Sequence, residues 1–241
     1  MLRTTNNNMS IISWEQEKKV RWAVVISLIF HAVGFIGIVW IDQPGFIAMT
    51  PANLLLSLVL IVWTHGRLNF PFFIFMLMSF QVGFFTEYLG VNHQLLFGHY
   101  RYEEALGIKV YGVPLMIGVN WFMIVYCCGI TVQYLLNMIW NLLKRNDAPD
   151  RFNVGYWSVI IDGALLAMFF DWLMEPVAIK LGYWTWLTDG GIPVKNYWDW
   201  FFVSAFLLWV FRQLDIPRQN QFAVHLLWIQ TLFFLSLRFF L

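Results

Sequence analysis

The sequence predicts an all-α integral membrane protein of about seven transmembrane helices, with an internal parallel repeat of helix-loop-helix units. Three observations predict it. Of 241 residues, 60% are hydrophobic and 12% charged, against the ~25% charged residues usual in a soluble domain. The mean hydropathy is +0.64, and a compact soluble fold could not hide that much apolar surface, whereas a bilayer can. The polar residues that do occur inside the apolar region gather in two similar stretches.

Taken in order, residues 1–21 form a polar tail with Asn6, Asn7 and Asn8, then Lys18, Lys19 and Arg21. The run that follows is long enough to span and has no small-residue cleavage site, so it reads as a retained helix rather than a signal peptide. Candidate spans are 22–41, 50–64, 70–86, 113–140, 154–174, 197–211 and 222–240. A span needs roughly 20 residues, and the second and sixth runs are short for it. No soluble domain interrupts 22–241, which reads as a single transmembrane domain with repeat units at about 70–140 and 154–211. Lys144–Arg151 is the most polar linker. With the N-terminus inside, the inner segments hold Arg3, Lys18, Lys19, Arg21, Arg67, Lys144, Arg145, Arg151, Arg212 and Arg218. The outer ones hold Arg101, Lys109, Lys180, Lys195 and Arg238. That bias predicts a cytoplasmic N-terminus, in a bacterial inner membrane. The net charge of +1 offers no basic surface for nucleic acid. Cys127 and Cys128 are chain neighbours within an apolar run, point in different directions on a helix, and read as small core residues.

The repeat is visible as two parallel series of motifs. One unit carries Phe84-Phe85, Glu87, Gly98-His99-Tyr100-Arg101-Tyr102, Gly112-Val113-Pro114 and Trp121. The other carries Phe169-Phe170, Asp171, Gly182-Tyr183-Trp184-Thr185-Trp186, Gly191-Ile192-Pro193 and Trp200. Proline and tryptophan are seven residues apart in both, nearly two helical turns, so each pair shares a helix face, and proline suits a helix's first turn. Each unit thus reads as a helix ending in acid, an extended aromatic pair, and a returning helix. Both run in the same sense across the membrane. Parallel repeats often hold a site between them, and the competing reading of the aromatic pairs is duplicated packing or an interfacial belt.

Glu87, Asp171 and Glu175 are the candidate catalytic residues. Carboxyl groups at membrane depth cost about 2.5–3.5 kcal/mol each on insertion scales. Asp171 and Glu175 are four apart, hence on one helix face. Asp162 lies deeper in the same span. A carboxyl in an apolar chamber beside another carboxyl can stay protonated at neutral pH and serve as a general acid. The rings of Trp121, Trp172, Trp184, Trp186 and Trp200 could face a developing cation, at about 0.5–2 kcal/mol per ring. Acid, aromatic walls and a greasy cavity suit cationic chemistry on a long hydrocarbon. There is no Gly-x-Gly-x-x-Gly for a dinucleotide. His31, His65, His93, His99 and His225 form no metal-binding cluster and read as helix-end or packing residues, and no metal or cofactor is called for. The last span has no lysine for a retinal Schiff base. Glu103 and Glu104 read as loop residues facing solvent, with Glu103 a reserve candidate for the site.

Residues Glu87-Tyr88-Leu89-Gly90, Phe97-Gly98-His99-Tyr100-Arg101-Tyr102, Gly112-Val113-Pro114-Leu115 and Trp121 resemble the membrane carotenoid-biosynthesis protein family, which includes the bisanhydrobacterioruberin hydratases and carotenoid 1',2'-hydratases. So do Asp171, Glu175-Pro176-Val177-Ala178, Gly182-Tyr183-Trp184-Thr185-Trp186 and Gly191-Ile192-Pro193-Val194-Lys195-Asn196. The resemblance covers about residues 80–205 and, more loosely, the flanking helices. It implies cofactor-free hydration of a linear carotenoid ψ end group, as in lycopene: protonation at C2, a tertiary cation at C1, and water addition to give a tertiary alcohol. Glu87, Asp171 and Glu175 match the family's acidic positions, one to protonate the alkene and another to orient water. Asn196 matches a family asparagine that would bind water, and Tyr102 joins the tryptophans as substrate-binding. Two departures stand out: Asp199-Trp200 where Gly-Trp is common, and the histidine-bearing Asn92-His93-Gln94. The acid at 199 is expected to bear on the substrate or on its neighbours' roles. The implied partners are a carotenoid, the lipid bilayer and other carotenoid-pathway enzymes. Rival readings are an intramembrane lycopene-type cyclase, which shares the protonation step, and a non-catalytic carotenoid-binding or transport protein. A prenyltransferase is more distant, because it would need aspartate-rich metal-diphosphate motifs.

Overall fold

The computed structural model describes the backbone of residues 3–142 and 151–241 and the side chains of 14–142 and 155–241. The Lys144–Arg151 linker lies outside the described residues apart from the Arg151 backbone, as do the side chains of the tail through Ser13. Helix α1 (Arg3–Ile36) ends in a π-helical turn, Gly37–Ile41, and is followed by the short α2 (Gln43–Ala48), α3 (Thr50–Trp63) and α4 (Phe70–His93). A loop with three short strands, β1 (Tyr100–Tyr102), β2 (Lys109–Val110) and β3 (Val113–Pro114), leads into α5 (Leu115–Leu142). Then come α6 (Arg151–Lys180), β4 (Trp184–Trp186), α7 (Val194–Gln213) and α8 (Gln221–Phe240).

The protein is an all-α membrane protein. Five of its helices, those ending at Ile41 and α4, α5, α6 and α8, are long and apolar enough to cross a bilayer. The expected seven apolar runs all form helices, and the two short ones are where the count differs. The fourteen residues of α3 rise roughly 21 Å, short of the ~30 Å hydrocarbon layer. The twenty residues of α7 include Lys195, Asp199 and Arg212, which lower its apolarity. Helix α5 is the hub: every residue from Trp121 to Val132 is buried, and it packs against α3, α4, α6, α7 and α8. Cys127 and Cys128 are free and buried there.

The acids were expected at helix ends and are not there. Helix α4 continues six residues past Glu87, and α6 continues to Lys180 with Pro176 inside it. Charge interrupts an apolar run without interrupting i to i−4 hydrogen bonding, so hydropathy marks a span's polar edge rather than its last turn. Asn69 starts α4 by accepting the Phe72 amide at 3.1 Å, and Gln94 ends it in the left-handed region at φ 56°.

Two pairings join the repeat units. Strands β1 and β4 pair antiparallel, Tyr100 opposite Trp186, Arg101 opposite Thr185 and Tyr102 opposite Trp184. The ladder extends through Leu187 N–H to His99 O at 2.8 Å and Glu103 N–H to Tyr183 O at 3.0 Å. On the other side of the site, Trp121 of α5 stacks on Trp200 of α7, centroids 3.9 Å apart and planes at 13°. Equivalent residues of the two units meet at Arg101 and Thr185, in the centre of the ladder, and at Trp121 and Trp200 in the stack. Two glycines permit the approach. Trp121 lies against Gly83 so closely that a Cβ there would collide with the indole. At Gly98, with φ +142°, a Cβ would come within 2.9 Å of Pro193 and 3.0 Å of Trp186 from the other unit.

Candidate active site

Between the paired strands and the tryptophan stack lie Glu87, Asp171 and Glu175, each at most 4% exposed. Glu87 faces the first unit's rings. Its Oε2 accepts the phenol O–H of Tyr102 at 2.8 Å and that of Tyr100, and its Oε1 accepts the Trp121 indole N–H at 2.9 Å. Glu175 faces the second unit's rings, its Oε2 accepting the indole N–H groups of Trp184 at 3.0 Å and Trp186 at 3.1 Å. Asn196, in the first turn of α7, spans the remaining gap. Its amide nitrogen donates to Asp171 Oδ2 at 2.7 Å and to Glu175 Oε1 at 3.3 Å. Asp171 Oδ1 is buried and has no hydrogen-bond partner among the described residues.

The strand period aims the aromatic pairs. Tyr100 and Tyr102, two apart on β1, present both hydroxyls to one carboxylate, and Trp184 and Trp186 do the same on β4, while the intervening Arg101 and Thr185 face away. Burial pushes both phenols well above their ordinary pKa, and the neighbouring Glu87 charge adds to it. They are O–H donors throughout the physiological range.

The three acids, Tyr100, Tyr102, Asn196, Trp121, Trp184, Trp186 and Trp200 all line one small cavity of about 20 Å³. That is enough for one water, which needs at least about 10–15 Å³. A second cavity of about 260 Å³, walled largely by apolar side chains, adjoins it. Ile117, Asn120, Met174 and Trp184 line both. Exposed Phe30, Val33 and Met49 form part of the larger chamber's wall.

Of the residues expected in the site, the fold brings together all but Trp172. One residue beyond Asp171, Trp172 is turned about 100° round the helix. It is 44% exposed, stacks on Phe169, and has the Arg238 guanidinium 4.6 Å over its ring. Asp162 is exposed on α6 beside Ser158. Glu103 braces the loops: its Oε1 accepts from Arg101 at 3.0 Å and Thr185 at 2.8 Å. Asp199 is also a brace. Its Oδ2 accepts the Phe97 amide at 2.6 Å and Lys195 Nζ at 2.6 Å, and Lys195 donates to Leu95 O at 2.8 Å. Asp199 stands outside the acid cavity. Phe97, Tyr100 and Asn120 were not among the expected site residues. For Tyr100 a signal existed: Glu87 to Gly98 and Asp171 to Gly182 are both eleven residues, which makes Tyr100 the counterpart of Trp184. Asn120, a single amide within an apolar run, carries no such mark.

No curated protein and no solved structure matches the chain. The family model described as carotenoid biosynthesis protein matches residues 47–241, a stretch that takes in the three acids, the paired strands and the tryptophan stack, and the chain belongs to that family.

Proposed function

We propose that the protein is a cofactor-independent carotenoid hydratase that adds water across the terminal C1–C2 double bond of a linear ψ end group. The observation that carries this reading is the junction of a water-sized acid cavity with a larger apolar chamber. The alkene end of the polyene occupies the chamber next to Trp184 and Met174, and the rest of the chain leaves past the exposed apolar rim toward lipid.

Hydrogen bonding supports a division of roles. Both Glu87 oxygens are occupied by O–H and N–H donors. That arrangement suits a fixed carboxylate which stabilises positive charge through space. Asp171 Oδ1 is the unengaged carboxyl oxygen of the three and is the proton donor. Its O–H bond breaks as a C–H bond forms at C2, leaving a tertiary cation at C1 facing the Trp184 and Trp200 rings. Water then bonds to C1 and gives its proton to Glu175 Oε1, whose one contact among the described residues is the long 3.3 Å one from Asn196. The next water to enter the cavity carries that proton from Glu175 to Asp171, four residues away on one helix face, and restores the acid. The product is a tertiary alcohol, one water heavier per reacted end. The lysine and arginine bias supports an N-terminus in the cytoplasm, and a carotenoid-making bacterium would hold the protein in its inner membrane.

The test is expression in a lycopene-accumulating bacterium, with pigment mass analysis of cells grown in heavy-oxygen water. A labelled tertiary alcohol is expected. An unlabelled cyclic hydrocarbon would replace this reading with the cyclase, and unchanged pigment with bound carotenoid would replace it with a carrier.

A further inference from the structure

The apolar chamber contains a polar feature that the acid site does not use. Three side-chain amides line it: Asn53 from α3, Asn120 from α5 and Gln230 from α8. Gln230 is 8% exposed, and Asn53 Oδ1 is buried without a hydrogen-bond partner. Among the described residues none of the three amides is hydrogen-bonded to the protein. A buried polar atom without a partner costs about 1–3 kcal/mol, and Asn53 Oδ1 is one; with the half-buried Asn120 and the buried Gln230 it puts three amides from three separate helices on one cavity wall, which packing does not explain. Packing alone would be served better by leucine or methionine. Asn120 is also the one of these amides that lines both the chamber and the acid cavity. Water needs two to four polar partners to reside in such a space, and these amides offer them.

We infer that Asn53, Gln230 and Asn120 hold water in the apolar chamber and hand it to the acid cavity, with Asn120 at the handover. The inference rests on the hydratase reading and specifies where the consumed water is replaced. The acid cavity has room for about one water, so each turnover empties it and the next requires a supply. Supply then governs the fate of the cation. With water in place at C1 the alcohol forms. Without it, the cation loses a proton from C2 or an adjacent methyl group back to the carboxylate and reverts to an alkene.

The experiment measures both fates in one tube. Purified protein in lipid nanodiscs is given lycopene in deuterated water, and deuterium entering recovered alkene is compared with alcohol formed. Asn120→Leu and Gln230→Met, which keep volume but lose the hydrogen bonds, are expected to raise the exchange-to-hydration ratio about tenfold, the scale of one lost hydrogen bond to the reacting water. Gln230→His should restore much of it. The ratio is internal to each sample and independent of how much protein folds. Ratios equal to wild type in both variants would overturn the assignment while leaving the hydratase intact. A changed lycopene KM with an unchanged ratio would reassign the amides to substrate binding. A wild type that yields neither alcohol nor deuterated alkene would remove the hydratase reading and this inference together.

Discussion

The two repeat units build the same frame and furnish it differently. In the first, a phenol pair and an indole saturate Glu87. In the second, the aromatic pair is indole, and both its N–H groups donate to Glu175 rather than to Asp171. By the unit spacing the counterpart of Glu175 is Val91, so the first unit has no second acid for its rings to meet. Among the described residues Asp171 is consequently left with Asn196 on one oxygen and no partner on the other. The shared spacing sets the geometry, and the differences at a few positions separate a carboxylate held on both oxygens from one with an unengaged oxygen.

The largest expected effect tests that division directly. Asp171→Asn should lower hydration by about 10²–10⁴-fold, the usual worth of a general acid, with little loss of thermal stability, because one oxygen has no partner to lose. Glu87→Gln should do the reverse in the unfolding assay. Its amide nitrogen would oppose a donor in a saturated pocket, at about 3 kcal/mol of stability. Pigment analysis and thermal unfolding of the same two purified variants check both outcomes. Equal stability losses would erase the distinction between the units.

Next in size is the tryptophan stack. Trp121 is fully buried and stacks while donating to Glu87; Trp200 stacks but is not hydrogen-bonded among the described residues. Trp121→Ala should cost about 3–5 kcal/mol, and Trp200→Ala about 1 kcal/mol less, the net worth of one hydrogen bond. Thermal unfolding midpoints would order them.

Much of this contrast is legible in the amino-acid sequence. The two series of motifs, the three acids and the phase of Trp121 and Trp200 on their helices follow from spacing, because helical and strand periods fix which side chains share a face. What spacing could not supply was pairing across the units. Nothing local in Gly98-His99-Tyr100-Arg101-Tyr102 says that it will lie antiparallel to Gly182-Tyr183-Trp184-Thr185-Trp186, and both Asp199 and Glu103 acquire their brace roles only from that meeting. Trp172 misled because it neighbours an acid in sequence, and adjacency in a helix means divergence in direction. Asn120 stayed hidden because one amide among apolar residues has no period.

A smaller effect separates the two phenols from the two indoles. Tyr102→Phe removes one donor from Glu87 and should cost about 1–3 kcal/mol. The phenol pair also gives the first unit an alkaline limit that the second lacks. Because both phenols have raised pKa values in the folded protein, their contribution is full below the free phenol value of about 10 and declines as pH rises past it. Unfolding midpoints of Tyr102→Phe and wild type should therefore converge above that pH. Convergence at neutral pH would place the hydrogen bonds elsewhere.

The smallest effect lies at the seam between the units. Glu103 is held below the usual carboxylate range, first by the Thr185 hydroxyl and then by Arg101. One partner comes from β1 and the other from β4, so its charge ties the strands at the centre of their ladder. A lowered folded pKa means that the brace is complete above the ordinary value and is lost as pH falls through the folded one. Its exposure to solvent keeps the contribution small. Glu103→Gln should leave the acid cavity and hydration at neutral pH nearly unchanged, while abolishing the part of acid destabilisation that wild type shows below about pH 4.3, the ordinary glutamate value. Acid unfolding curves of the two proteins, with hydration at neutral pH as control, would separate this brace from the chemistry beneath it. A large loss of hydration in Glu103→Gln would mean that the seam positions the acids and that the two units are not independent frames.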